Sequence, residues 1–171
     1  MAIPPAWRRS LVVAMEACDL QFSTMQGEIV LRITQAIIRQ EGEPITALNP
    51  GNLRDCPWCV LKPVSGVPLG PGSPALMGAP LRRIYSDGTL VEYENRAGSG
   101  RFWIPRSRAE GIFGIIHVVS LHVVEGDNLR KLVTRWAPPA DHNATAAYVA
   151  HVAEWAAVPD PDSPLMTFLD A

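Results

Sequence analysis

Apolar residues recur every three to four positions over much of the chain, which is the period of helices that place one face against a core. The most regular stretch predicts a core helix from about Thr24 to Glu41, and Gly42 is the type of residue that commonly ends a helix. Ser23 and Gln26 have the spacing of a capping box, which places the start of this helix. Its apolar stripe consists of Ile29, Val30, Ile33, Ala36 and Ile37.

A second long helix follows the same pattern later in the chain. Ser107 opens another capping box, the periodic pattern continues to about Val124, and Gly126 is expected to close the helix. His117 and His122 are five positions apart on this helix and point in different directions, so both are interpreted as packing or surface residues. The predicted core face consists of Ile112, Ile115, Ile116, Val119 and Val123.

Four further segments are shorter or terminal. Residues 1–22 are predicted to form an N-terminal packing helix, and residues 158–171 are polar, rich in proline and interpreted as a C-terminal tail. Asp127 is predicted to cap one short helix and Asn143 another. Their apolar positions are Leu129, Leu132, Val133 and Trp136 in the first, and Tyr148, Val149, Val152 and Trp155 in the second.

The pattern changes between the two long helices. Residues 42–80 hold half of the chain's 16 prolines, so we expect a long ordered loop there. Residues 81–95 are rich in strand-forming side chains around Asp87-Gly88, a two-residue turn signal, and predict a β-hairpin. The expected fold class is therefore α+β, mostly α.

The composition fits one domain. With 171 residues, 47% of them hydrophobic, the chain can bury a core, and a single compact domain over residues 1–171 is expected. The formal charge of −2, without a run of Lys or Arg, argues against a nucleic-acid-binding protein, because phosphate recognition needs clustered cations. No apolar stretch approaches the length of about 20 residues that spans a bilayer, so no membrane insertion is expected.

Glu41 is the candidate catalytic residue. It continues the four-residue row of the core helix at the helix end, where partial burial and the negative end of the helix dipole both favour the protonated acid. Glycosidic bond cleavage needs such a group, because the leaving sugar oxygen must receive a proton. A glutamate at a helix end is also commonly a solvated residue and no more. The catalytic interpretation is favoured by the turn that follows, since Asn49, Asn52 and Arg54 offer two amides and a guanidinium to a sugar.

The E-G helix end, the turn NPGNLR and a distant WAPP before a tyrosine-containing helix together resemble the lysozyme-like peptidoglycan-cleaving proteins of phages and prophages, including lytic transglycosylase-like members. The resemblance covers about residues 29–54 and 101–165. It implies a lysozyme-like fold with a small β-hairpin sheet beside the catalytic helix. It also implies that the substrate is the peptidoglycan glycan strand, cleaved at the β-1,4 linkage between N-acetylmuramic acid and N-acetylglucosamine.

The same resemblance implies roles for single residues. Glu41 is the general acid, and Trp136 and Tyr148 border the substrate groove, although both are equally suited to be core anchors. Hydrolytic members carry a second carboxylate several residues after the acid, whereas that region offers Asn49 here. This favours the transglycosylase mechanism, in which one glutamate acts as acid and then base. Glu94 on the predicted hairpin is the candidate if a second carboxylate comes from elsewhere, but it is also suited to a solvated surface.

Cys56-Pro57-Trp58-Cys59 is a C-x-x-C motif without the βαβ context of redox proteins. The two cysteines are interpreted as a reduced or disulfide-bonded loop staple, as ligands of a structural metal, or as a redox pair; a zinc site would need two more ligands, for which Cys18 is one candidate. No cofactor is expected for the proposed cleavage.

Two other classes of function remain open. A non-catalytic virion-associated or carbohydrate-binding module would keep the fold without the chemistry, and Asn49 in place of a carboxylate is compatible with it. A Cys-stapled or zinc-dependent interaction protein would be built around Cys56 and Cys59. The N-terminus lacks the residue order of a signal peptide. We therefore expect synthesis in the cytoplasm and access to the cell wall through a phage holin, a virion or a secretion machine.

Overall fold

A computed structural model of the chain describes residues 24–42, 47–63, 81–96 and 100–168. Over these residues the protein is mostly helical with two small antiparallel sheets, which confirms the α+β, mostly α fold class. The predicted helix within residues 1–22 and the prolines of residues 64–80 lie outside the described residues.

The helices of the described residues are α1 (Thr24–Glu41), α2 (Arg108–Val124), α3 (Leu129–Trp136) and α4 (Thr145–Ala156). The predicted spans of both long helices are confirmed. The three isoleucines of the α1 stripe are fully buried, because α1 packs against α2 and α4. None of the described helices combines the length and the apolar composition needed to cross a membrane.

The helix starts follow the predicted caps only in part. Ser107 caps α2 as predicted, and its side chain accepts a hydrogen bond from the first turn. The cap of α3 is Asn128 rather than Asp127, because the Asp127 carboxylate is buried in an ion-pair cluster instead. The N-terminus of α4 has no side-chain cap, since the Asn143 amide donates to the Pro138 carbonyl at 3.2 Å.

Two sheets replace the single hairpin predicted at residues 81–95. The strands are β1 (Val60–Pro63), paired with β2 (Leu81–Ile84), and β3 (Glu92–Arg96), paired with β4 (Gly100–Ile104), both antiparallel. The chain does turn at the predicted Asp87-Gly88, where a bridge between Ile84 and Leu90 and the backbone hydrogen bonds Tyr85 N–H to Thr89 and Val91 N–H to Arg83 join the two arms. Beyond this short hairpin each arm pairs with a different strand, β2 with β1 and β3 with β4.

Trp103 anchors β4 on the core. Its side chain is fully buried, and its indole N–H donates to the Tyr85 hydroxyl at 2.9 Å. Its backbone N–H donates to the Leu53 carbonyl at 3.0 Å. The strand therefore attaches the turn that follows α1 to the core.

The predicted tail at residues 158–171 is packed rather than loose as far as residue 168. Leu165, in the short 3₁₀ helix Leu165–Phe168, is fully buried. Its backbone N–H donates to the Asp127 carbonyl at 2.9 Å, which ties this segment to the loop before α3. One hydrophobic core includes residues from α1 to this segment.

Candidate active site

The Glu41 carboxylate lies at the C-terminal end of α1 and accepts hydrogen bonds from three side chains. The Tyr148 hydroxyl donates to Oε1 at 2.8 Å, and the Trp136 indole N–H donates to the same oxygen at 3.3 Å. The Asn52 amide nitrogen donates to Oε2 at 2.7 Å. The donors follow Glu41 in the sequence by 11, 95 and 107 residues, so the fold assembles this arrangement from three separate segments.

The helix end directs the chain away from the carboxylate. Gly42 has a φ of +64°, the left-handed conformation that costs little for glycine and that commonly terminates a helix. No element continues α1 beyond this point in the described residues, and Glu41 is partly exposed. The carboxylate is therefore held from one side and reached by solvent from another.

The turn that supplies Asn52 fits closely against the helices. Asn52 itself has a positive φ of 50°, and its backbone N–H donates to the Asn49 carbonyl at 3.1 Å. A Cβ at Gly51 would lie 2.6 Å from Ile115 and 2.9 Å from Trp136, so only glycine allows this approach. The glycine thus brings the turn against α2 and α3, which places the Asn52 amide on Glu41.

Asn49 has a structural role, which corrects the prediction that it shapes the sugar site. Its side chain is 5% exposed. The amide nitrogen donates to the carbonyls of Leu53 at 2.8 Å and Trp103 at 2.9 Å, and the amide oxygen accepts from the Leu53 N–H at 2.9 Å. These bonds use both donors of the amide inside the protein, so Asn49 fixes the turn on β4 and does not face a ligand.

We expect Asn49→Asp to lower the free energy of unfolding by about 3 kcal/mol, since a carboxylate cannot donate to the two buried carbonyls and brings a charge into their vicinity. Urea unfolding monitored by circular dichroism measures this loss. The matched control is Asn143→Asp, the same change at an exposed position. Equal effects of the two substitutions would contradict the structural role of Asn49.

Tyr148 and Trp136 are core anchors, as the sequence allowed, and both also reach Glu41. Tyr148 is buried on α4 and Trp136 is partly buried on α3, and both pack on the core while hydrogen-bonding to Glu41. Burial, and then the neighbouring Glu41 charge, raises the pKa of Tyr148 well above its ordinary value of 10.0. The Tyr148 hydroxyl therefore stays protonated and remains a donor at physiological pH.

A cavity of about 430 Å³ lies beside the Glu41 arrangement. Asn52 and Trp136, two of the three donors to Glu41, are part of its wall, whereas Glu41 itself is not. The full wall consists of Asn52, Leu53, Arg54, Val118, His122, Leu132, Arg135, Trp136, Pro138 and Asp141. The cavity therefore adjoins the carboxylate at the side chains of Asn52 and Trp136.

Arg54 lies at this cavity, where its guanidinium pairs with Asp141 at 2.7 Å. The pair connects the turn after α1 to the segment between α3 and α4, and the Arg54 side chain is 50% exposed. The guanidinium also lies 5.3 Å from the centre of the Phe102 ring. The guanidinium is thus the positive group that the turn after α1 places on the cavity wall.

Glu94 lies on β3 opposite Phe102, and it is not part of the cavity wall within the described residues. Two carboxylates that the sequence analysis missed lie next to the turn. Asp141 is the cavity-wall partner of Arg54, and Asp55 follows Arg54 in the chain. Asp55 accepts from the Tyr93 hydroxyl and pairs with the Arg83 guanidinium at 2.6 Å. Asp141 is therefore the carboxylate that reaches the cavity.

Cys56 and Cys59 form a disulfide bond. This confirms the loop-staple interpretation and corrects the metal one, because the two sulfurs bond to each other and are not thiolate ligands. Trp58, between them, packs edge-on against Trp103 at a centroid distance of 5.5 Å. The motif thus anchors the segment between the turn and β1 on the core.

A second polar cluster lies at the end of α2. His122 Nδ1 is 2.7 Å from the Asp127 carboxylate, and the Lys131 ammonium also hydrogen-bonds to that carboxylate. Burial alone would raise the pKa of Asp127, but the hydrogen bonds from Lys131 and His122 outweigh it and lower the pKa. With Glu125, the cluster has three possible metal ligands whose donor atoms lie within 4.8 Å of one another. Because Lys131 already supplies the positive charge, we assign the cluster to an ion-pair network.

No family model matches this chain, and no match was found among curated proteins or among solved structures.

Proposed function

We propose that the protein cleaves the β-1,4 bond between N-acetylmuramic acid and N-acetylglucosamine in peptidoglycan, with Glu41 as general acid and then general base. The observation that carries this proposal is the Glu41 carboxylate, held by Tyr148, Trp136 and Asn52 from three separate segments. These partners fix the orientation of the carboxylate, which a catalytic group requires. The choice of substrate rests on the resemblance of the E-G helix end, NPGNLR and WAPP to lysozyme-like proteins.

The hydrogen bonds give the two carboxylate oxygens different roles. Among the described residues, Oε1 accepts from both Tyr148 and Trp136, whereas Oε2 accepts one hydrogen bond, from Asn52. Oε2 is therefore the oxygen that carries the transferable proton. In the first step this proton moves to the leaving O4 of N-acetylglucosamine as the glycosidic bond breaks, and positive charge develops at C1 of the muramic sugar.

The second step is proposed to follow the lytic transglycosylase mechanism. The Glu41 carboxylate accepts the proton of the 6-hydroxyl of the same muramic sugar while O6 bonds to C1, which gives a 1,6-anhydro product and restores the acid. This sequence needs one carboxylate and no water. A hydrolase would need a second carboxylate, as the base that activates water or as the nucleophile, and among the described residues Asp141 is the one on the neighbouring cavity wall.

We also propose that the fold is lysozyme-like in its finer arrangement. Two observations support this: the core helix α1 ends at the proposed acid, and small antiparallel sheets lie between α1 and α2 in chain order. The partners that this function implies are glycan strands.

Purified peptidoglycan treated with the protein is expected to release 1,6-anhydro-muropeptides, identified by mass spectrometry from a product mass one water lower than that of the reducing-end form. Reducing-end products would show that the bond is hydrolysed and would contradict the transglycosylase mechanism. Asp141 would then be the candidate for the second carboxylate. Release of no fragments, together with retained binding to the insoluble wall, would support a carbohydrate-binding module instead.

A further inference from the structure

The cavity beside Glu41 has polar groups that the proposed cleavage does not use. His122 and Arg135 both lie on its wall, on α2 and α3 respectively. Neither contacts Glu41, whose hydrogen-bond donors in the described part of the chain are Tyr148, Trp136 and Asn52. Because Asn52 and Trp136 belong to both places, a ligand bound at Glu41 would continue into the cavity.

The charges around the cavity leave one guanidinium in excess. The Arg54 charge is balanced by Asp141 at 2.7 Å, and the Asp127 charge is balanced by Lys131. Arg135 makes only a long ion pair with Asp127, at 3.9 Å and beyond hydrogen-bond distance, and its side chain is 58% exposed. The guanidinium of Arg135 is therefore able to take a carboxylate from a ligand. Glu125, the other carboxylate of the cluster, is exposed and does not line the cavity.

His122 adds a second type of group. Its Nδ1 is fixed by the Asp127 carboxylate at 2.7 Å, so in the neutral ring Nδ1 carries the proton and Nε2 is an acceptor. No hydrogen bond to Nε2 is made by the residues that the structure describes. A cavity that presents an accepting nitrogen and a surplus guanidinium complements a group with both N–H donors and a carboxylate, which is the chemistry of a peptide.

We propose that this cavity binds the peptide stem carried by the lactyl group of N-acetylmuramic acid. Arg135 binds a stem carboxylate, and His122 accepts a hydrogen bond from a stem amide. This inference rests on the proposed function, because it assumes a glycan bound at Glu41. It predicts that the protein prefers peptide-substituted glycan over chitin, which lacks both the lactyl group and the stem.

The test measures binding rather than cleavage, with Glu41→Gln protein so that the ligand stays intact. Isothermal titration calorimetry would compare three tetrasaccharides: one with peptide stems, one with bare lactyl carboxylates, and chitotetraose. We expect the peptide form to bind best, and Arg135→Gln to reduce its advantage by about threefold to fivefold, the range for one exposed charge pair. Added salt is expected to reduce the same advantage.

Arg130→Gln is the matched control, since Arg130 lies on the same helix, pairs with Asp162 and is not part of the cavity wall. Equal effects of Arg130→Gln and Arg135→Gln would overturn the inference. The inference would also be overturned if the bare lactyl form bound as tightly as the peptide form and depended equally on Arg135. The group bound by Arg135 would then be the lactyl carboxylate. Failure of all three saccharides to bind would instead overturn the proposed function itself.

Discussion

Replacement of Glu41 by glutamine is expected to reduce peptidoglycan cleavage by about a thousandfold, which is within the range contributed by a general acid. The amide keeps the size of the carboxylic acid, and its oxygen still accepts from Tyr148 and Trp136. It has no proton to transfer to the leaving sugar oxygen, and it cannot act as the base in the second step. The rate of anhydro-muropeptide release, followed by mass spectrometry, measures the loss.

The control for this substitution is Glu28→Gln, which makes the same chemical change at an exposed position of the same helix. We expect Glu28→Gln to retain full activity, and both variants to unfold within a few degrees of the wild type. Glu41→Gln protein that stays folded and cleaves at the wild-type rate would exclude Glu41 as the acid.

Replacement of Gly111 by alanine is expected to lower the free energy of unfolding by about 3 kcal/mol. A Cβ at this position would lie 2.0 Å from the Leu48 carbonyl oxygen and 3.1 Å from Pro50. A backbone carbonyl cannot rotate away as a side chain can, so the turn that begins at Asn49 would have to leave α2. In an exposed helix position the same substitution would stabilise by about 1 kcal/mol, so the prediction has the opposite sign from helix propensity.

Urea unfolding measures the effect of Gly111→Ala, and cleavage assays of the remaining folded protein show whether the displaced turn still places Asn52 on Glu41. The control is Ala109→Gly, at an exposed position two residues earlier in α2. It is expected to lower the free energy of unfolding by no more than about 1 kcal/mol. Stabilisation by Gly111→Ala would show that the turn does not press against the helix.

The parts of the fold that were predictable from the sequence are those that depend on local chemistry. The span of α1, the left-handed Gly42 and the Ser107 cap each follow from residues within a few positions of one another. Glu41 was singled out for the same reason, since it continues an apolar row by one helical step. Such features need no information about distant residues.

Asn49 and Asn52 show where local reasoning ended. In the sequence they are two amides of one turn, and both are equally suited to bind a ligand. The structure separates them because β4 brings the Trp103 carbonyl to Asn49, while the end of α1 brings a carboxylate to Asn52. The position of β4 depends on the burial of Trp103, 54 residues after Asn49, and no pattern around the turn contains that information.

The cavity was missed for a related reason. The pairing of Arg54 with Asp141 spans 87 residues, and His122 had appeared to be a packing or surface residue of α2. One local signal was present in the sequence. His122 and Asp127 lie on either side of the glycine that ends α2, so the chain can fold back there and bring the two side chains into contact. An acidic residue soon after a helix-ending glycine is worth comparing with histidines in the preceding turn.

The long separation between Glu41 and its two aromatic partners bears on the order of events when the chain is synthesised. Trp136 and Tyr148 leave the ribosome about a hundred residues after Glu41, and both must dock before the carboxylate is held. A nascent or truncated chain that stops before α3 contains the acid but cannot orient it. If Glu41 acts as proposed, cleavage is thus coupled to completion of the fold, because a partly made chain lacks the two side chains that hold the acid.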